Sequence, residues 1–222
     1  MISRAFLAVV GGIAAVVVLG LVTLVAVQQR DSYAEGRVGG AFALLDMFGK
    51  PVTDADLRGK PSAIFFGYTS CPDVCPTTLS SLTTALGRLG AAADRLTVAF
   101  VTVDPERDTP AQMRDYLSSF DPRIRGLTGT EAQTEAIAKA YHVVHRRVWT
   151  GGGSYAVDHS STVYLMDEAG RLAGEINYGE DQDRVEAKLA ALVHTVDDPS
   201  APAARVDLWS DAVRLARQLC GL

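Results

Sequence analysis

Phe65-Phe66-Gly67-Tyr68-Thr69-Ser70-Cys71-Pro72-Asp73-Val74-Cys75-Pro76 is the stretch that decides how this chain folds. Just upstream, Ala63-Ile64-Phe65-Phe66 forms a continuous apolar run of strand length, ended by Gly67. Downstream, Leu79, Leu82, Leu86 and Leu89 recur three and four apart within 77–89 and mark one face of a helix. Two thiols therefore stand where a buried strand hands over to a helix. At such a junction the unsatisfied backbone N–H groups and the positive end of the helix dipole favour thiolate over thiol. Cys71 and Cys75 are four apart, which in helical geometry puts them on one face about one turn apart. So placed, they can close on each other as a disulfide or point together at one small soft metal ion. Thioredoxin-type redox motifs have two intervening residues; this stretch has three. Free cysteine also packs well in cores, but a pair flanked by Pro72 and Pro76 at a strand–helix junction points to chemistry.

With 222 residues, 48% of them hydrophobic and 21% charged, the chain has room for one globular domain of about 150 residues plus appendages. The formal net charge is −5 and no Lys/Arg cluster stands out, which argues against a nucleic-acid partner. Three cysteines are too few for a disulfide framework, and Cys220 is left over once Cys71 and Cys75 are taken together. Residues 5–27 are 23 residues without a charge, rich in Val, Leu and Ala, between Arg4 and Arg30. At about 1.5 Å per residue this segment is long enough to cross about 30 Å of hydrocarbon. Val25-Ala26-Val27 matches a signal-peptidase site poorly, so residues 1–27 read as an uncleaved transmembrane anchor. Arginines on both sides, with Asp31 and Glu35 among those that follow, leave its orientation open.

A polar linker at 28–38 leads into a domain at 39–195. Phe42 to Asp46, a turn at Gly49-Lys50-Pro51, and Val52 onward suggest a small N-terminal hairpin. Leu96 to Val103 reads as a buried strand from its β-branched content. Thr109, Pro110 and Gln112 then supply an N-cap, a first-turn proline and a capping-box partner for a helix reaching about Phe120. A helix over 130–141, a strand over 142–149, a glycine turn at 151–153, strands at 162–166 and 171–176, and a helix over 183–194 complete the domain. Strands alternating with helices, then a hairpin and a closing helix, give an α/β, thioredoxin-like fold. Beyond it, 196–222 adds a linker, Asp198-Pro199-Ser200-Ala201-Pro202, and an amphipathic helix over 206–219, with Cys220 at its end and no role assigned to it.

Four histidines are candidates for a third chemical residue. His194 ends the last helix, where it suits the helix dipole, and His142 and His145 flank a strand. His159 stands in a loop after glycines, preceded by Asp158 and followed by a strand. Composition alone does not separate it from an ordinary structural histidine.

The run Gly67-Tyr68-Thr69-Ser70-Cys71-Pro72-Asp73-Val74-Cys75-Pro76 resembles the signature of the Sco/SenC family of copper-binding cytochrome c oxidase assembly proteins. Asp104-Pro105-Glu106-Arg107-Asp108-Thr109, Gly126-Leu127-Thr128-Gly129-Thr130, and Val157-Asp158-His159 with Tyr164-Leu165 match in the same order, so the resemblance covers roughly residues 40–195. It implies a membrane-anchored thioredoxin-like domain that binds one copper ion per chain through Cys71, Cys75 and His159. It further implies an inner (cytoplasmic) membrane location with the soluble domain on the periplasmic side. The implied partner is the copper-A subunit of cytochrome c oxidase, joined by another periplasmic copper chaperone or a thioredoxin-like reductant. Two thiolates and an imidazole suit Cu(I) in a three-coordinate site and tolerate Cu(II) with an added oxygen ligand. Asp158 is a candidate to supply that oxygen or to orient the imidazole. Asp104, with Arg107, lies at the carboxyl end of a strand, where α/β sheets place their sites. Asp73, between the cysteines, is a candidate to tune the metal's charge, or simply a first-turn helix acid.

The alternative function is thiol–disulfide exchange, which would keep the cysteines of the oxidase copper site reduced. Thioredoxins set a cis-proline loop opposite their cysteines, whereas no proline occurs here between Pro122 and Pro199. His159 is expected in that facing position.

Overall fold

The computed structural model describes residues 38–194. In chain order these form β1 (Ala43–Asp46), β2 (Pro51–Thr53), α1 (Asp54–Leu57), β3 (Ser62–Gly67), α2 (Val74–Leu89) followed by a 3-10 segment (Gly90–Arg95), and β4 (Thr97–Thr102). Next come α3 (Pro110–Leu117), β5 (Ile124–Thr128), α4 (Glu131–Ala140), β6 (His145–Gly151), β7 (Ser154–His159), β8 (Val163–Met166), β9 (Leu172–Ile176) and α5 (Gln182–His194).

Seven strands make one sheet in the order β2-β1-β5-β4-β3-β8-β9, while β6 and β7 form a separate two-stranded hairpin. β3 lies at the centre of the chemistry-bearing half, parallel to β4 and antiparallel to β8. All six of its residues are buried, which is why its sequence is continuously apolar rather than alternating. Successive side chains still point to opposite faces. Phe65 joins Phe100 in a core completed by Leu79, Leu82 and Leu86 of α2 and Val185, Leu189 and Leu192 of α5. Ile64 and Phe66 join Ala99, Val101, Ile137 and Tyr141 in the core on the other face.

Two strands differ from expectation. Nothing in the sequence marks β5 as a strand, because Arg125 and Gly126 interrupt its apolar content. Gly126 is there because a Cβ would stand 2.8 Å from Leu117 Cδ1 of α3, so this strand lies close under the helix. β7, expected as a loop after the glycines, pairs with β6 along its length, from His145 opposite His159 to Gly151 opposite Ser154. The N-terminal hairpin is present, but it extends the main sheet through β1 against β5 rather than standing ahead of it. Asp46 shapes its turn, its Oδ1 accepting the N–H of Phe48 and of Lys50, both at 2.9 Å.

The anchor at 1–27, linker residues 28–37 and the 196–222 extension with Cys220 lie outside the described residues. Among the described residues no helix is long and apolar enough to cross a membrane.

Because α2 is held by burial of its leucine face, Leu86→Ala, at a fully buried position, is expected to cost about 2–5 kcal/mol. Phe48→Ala, 62% exposed, should stay within about 0.5 kcal/mol of the parent. Urea or guanidinium unfolding of the two variants checks both values.

Candidate metal centre

The first two ligand candidates are set by the end of β3. Beyond Gly67 the chain turns, with Cys71 N–H donating to Tyr68 O at 3.2 Å, and α2 then opens at Val74 with Asp73 as its N-cap. Cys75 falls in the first helical turn, and Cys71 lies in the turn before it. The pair therefore meets through a turn packed on a helix start, not through two positions on one helical face as the spacing suggested. Pro76 fits the first helical turn because an N–H there has no acceptor within the helix.

Asp108, fully buried, holds this turn in place. Its carboxylate accepts the Thr69 N–H at 3.1 Å, the Thr69 hydroxyl at 2.6 Å and the Thr102 hydroxyl at 2.6 Å, so the cysteine turn is tied to the end of β4. Burial pushes the Asp108 carboxyl above the usual range, against the hydrogen bonds from Thr102 and Thr69. Gly67 contributes by what it lacks. A Cβ there would stand 2.6 Å from Cys75 Sγ and 2.6 Å from Phe100 Cε2, so the Cys75 sulfur occupies space that only glycine leaves free.

His159 is the last residue of β7. Its Nδ1 lies 2.9 Å from Ser160 O. A carbonyl only accepts, so Nδ1 carries the proton and Nε2 turns its lone pair elsewhere. Nε2 stands 3.4 Å from Cys75 Sγ, across 84 residues of sequence. The ring is bracketed edge-on by Tyr68 at 5.7 Å and Phe65 at 6.4 Å between centroids.

Cys71, Cys75 and His159 offer one ligand atom each, all within 4.8 Å of one another. Two sulfurs and an imidazole nitrogen are donors that soft and borderline metal ions take, and the pinned Nδ1 leaves Nε2 available as a ligand. The thiols are unequal. Hydrogen bonding from Cys75 foremost, then from the N–H groups of Asp73 and Cys75, holds the half-buried Cys71 down to about 3 against its own desolvation. Cys75, fully buried, is pushed up by its hydrogen bond to Cys71 and by burial.

The remaining sequence candidates have other partners. Asp158 sits on the outward side of β7 and pairs with Arg146, its cross-strand neighbour, at 3.2 Å. Orientation of the imidazole through Nδ1 is thus the work of the Ser160 carbonyl. Asp73 is exposed at the N-cap and its side chain makes no cap hydrogen bond. Asp104 is fully buried; its Oδ2 pairs with Arg107 Nε, and its Oδ1 accepts the Tyr155 hydroxyl at 2.9 Å. His145 pairs with Glu135 at 3.0 Å, and His142 takes a left-handed conformation (φ 55°) just past the end of α4.

The chain is similar to known proteins over this domain. The SCO1/SenC family model matches residues 30–194. The mitochondrial Protein SCO1 homolog 1 of Arabidopsis thaliana is 38% identical over 144 residues, 64% of this chain and 43% of its own length, so the match spans under half of that relative. Among solved structures, Bradyrhizobium japonicum ScoI with copper bound is 46% identical, with a TM-score of 0.66, covering 70% of this chain and 99% of that one. Yeast Sco1 with copper bound is 35% identical, with a TM-score of 0.65, covering 78% of this chain and 98% of that one. The family match across most of the chain and the likeness of the fold lead to one conclusion: this chain belongs to the SCO1/SenC family.

Proposed function

We propose that this chain is a membrane-anchored copper metallochaperone that carries one copper ion between the sulfurs of Cys71 and Cys75 and Nε2 of His159, for assembly of the copper-A site of cytochrome c oxidase. The observation that carries the reading is the convergence of these three ligand atoms within 4.8 Å. Two soft sulfurs and one imidazole favour Cu(I), and they accept Cu(II) when an oxygen ligand is added. Copper is bound in the Bradyrhizobium and yeast relatives. Residues 1–27 serve as the anchor and place the domain on the periplasmic side of the inner membrane. The cargo goes to the copper-A subunit of the oxidase.

What the chain's own residues do follows from the site. Ser160 O holds the proton on Nδ1, Asp108 holds the cysteine turn, and Cys71 stands ready as thiolate while Cys75 must give up its proton as the metal enters. The expected result is one copper per chain, with His159→Ala weakening copper binding by more than about 100-fold, since even groups that only orient a ligand are worth about 10–100-fold. Competition against a Cu(I) chelator, with metal content measured on the purified protein, checks it. A wild-type chain that retains no stoichiometric copper rules the reading out.

The inequality of the thiols favours one further reading, reduction of the oxidase copper-site cysteines through Cys71, with a thioredoxin-like partner as reductant. A low-pKa thiolate ahead of a buried partner is what such exchange requires. In the metal-free protein, iodoacetamide should therefore modify Cys71 before Cys75. Its rate at Cys71 should stay nearly flat from about pH 8 to about pH 5, where an ordinary thiol loses about tenfold per pH unit. Mass spectrometry of the alkylated peptides reads both; a steep fall of Cys71 reactivity across that range contradicts the assigned thiolate.

A further inference from the structure

The hairpin β6–β7 carries His159, yet it shares no backbone ladder with the seven-stranded sheet that carries the cysteines. Something other than sheet hydrogen bonding must set the distance between the imidazole and the sulfurs. Side chains at the end of β4 supply it. Asp104, one loop position past Val103 and fully buried, receives Arg107 Nε on one oxygen and the Tyr155 hydroxyl, at 2.9 Å, on the other. Arg107 in turn donates from Nη1 to Tyr155 O at 3.0 Å, and its guanidinium lies over the Tyr155 ring at 3.9 Å from the centroid. Tyr155 is thus gripped at three points, hydroxyl, ring face and carbonyl, four residues before His159 on the same strand.

A second arm of the cluster reaches the site directly. The Arg107 guanidinium also stands 5.6 Å from the Tyr68 ring centroid, and Tyr68 meets the His159 ring edge-on. Arg107 Nη2 is buried with no protein hydrogen-bond partner, so the guanidinium is held by Asp104, Tyr155 O and the two rings alone. Arg147 flanks the same Tyr155 ring at 5.0 Å and pairs with Glu106 at 3.0 Å, tying β6 to the same loop.

The geometry points to Asp104, Arg107 and Tyr155 as a clasp that positions His159 over Cys71 and Cys75: positioning residues for the metal site, none of them a ligand. The inference rests on the Cys71, Cys75 and His159 site being the metal site proposed above. Lysine in place of Arg107 keeps the charge but loses the planar stack and the fork that holds Asp104 and Tyr155 O together. Tyr155→Phe is gentler, removing only the hydroxyl held by Asp104.

The test is a double-mutant cycle on the full-length protein, with Cu(I) affinity from chelator competition and amide exchange of the metal-free protein read side by side. Arg107→Lys is expected to weaken copper binding about 10–100-fold, the range for groups that orient a ligand, and Tyr155→Phe by less. In the His159→Ala background the same changes should cost under about twofold, because the clasp acts through the imidazole alone. In the metal-free variants the β6–β7 amides should exchange faster while those of β3 and β4 keep their protection. Equal losses with and without His159, unchanged affinity in both clasp variants, or faster exchange throughout the sheet would each overturn the clasp. If the wild type takes no copper, the metal reading fails by itself, and exchange in the metal-free hairpin still decides whether Asp104, Arg107 and Tyr155 hold it.

Discussion

The contact on which the rest of the structure depends is that between Cys75 Sγ and His159 Nε2, 3.4 Å apart and 84 residues distant in sequence. Sulfur arrives by way of the sheet, and nitrogen by way of a hairpin outside it. Each has its own anchorage. β3 is locked by β4 and β8 and by large side chains on both faces, so its carboxyl end is among the least mobile points of the fold. The turn that follows inherits that rigidity through Asp108, whose three hydrogen bonds span Thr69 and Thr102. A buried carboxylate satisfied this fully is more than a neutral filler. Leaving its partners unmade would cost about 1–3 kcal/mol for each group stranded without water.

Burial divides the labour between the sulfurs. Cys75 lies in the core cluster of Phe65 and Phe100, under a glycine that has no atom to spare. Cys71 is half-buried at the outer edge of the same cluster. Any ligand that exchanges onto or off the site therefore approaches from the Cys71 side, with His159 as the neighbouring partly exposed donor. A thiolate on the accessible position and a thiol on the inaccessible one is also the arrangement that keeps a reactive sulfur from burying an uncompensated charge.

Much of this was legible in the sequence, for identifiable reasons. β3 and β4 are buried on both faces and so read as unbroken apolar runs, while α2 shows its leucines at helical spacing. The Thr109-Pro110 start of α3 is a local hydrogen-bond device, and such devices are written in adjacent residues. β5 and β7 were not legible, because Gly126 answers to a helix packed above it and β7 pairs only with β6 and buries little beyond Val157. Asp108 escaped notice because an aspartate in an Asp-Pro-Glu-Arg-Asp-Thr loop reads as turn chemistry, and only the fold brings Thr69 to it from 39 residues away. Asp158 was drawn to the imidazole by adjacency. Strand alternation sends neighbouring side chains to opposite faces, and it gives Asp158 to Arg146 instead.

Holding a metal and exchanging thiols are the two uses open to this site. Both uses need the two sulfurs, and neither can be read from them alone. An imidazole against Cys75 adds little to disulfide exchange, where the attacking group is the outer thiolate and the space opposite it must admit a substrate chain. Here His159 is held against Cys75 with its lone pair toward the sulfurs, walled by Tyr68 and Phe65. A third donor, fixed in tautomer and aimed at two sulfurs, makes sense when one ion is to be shared among the three.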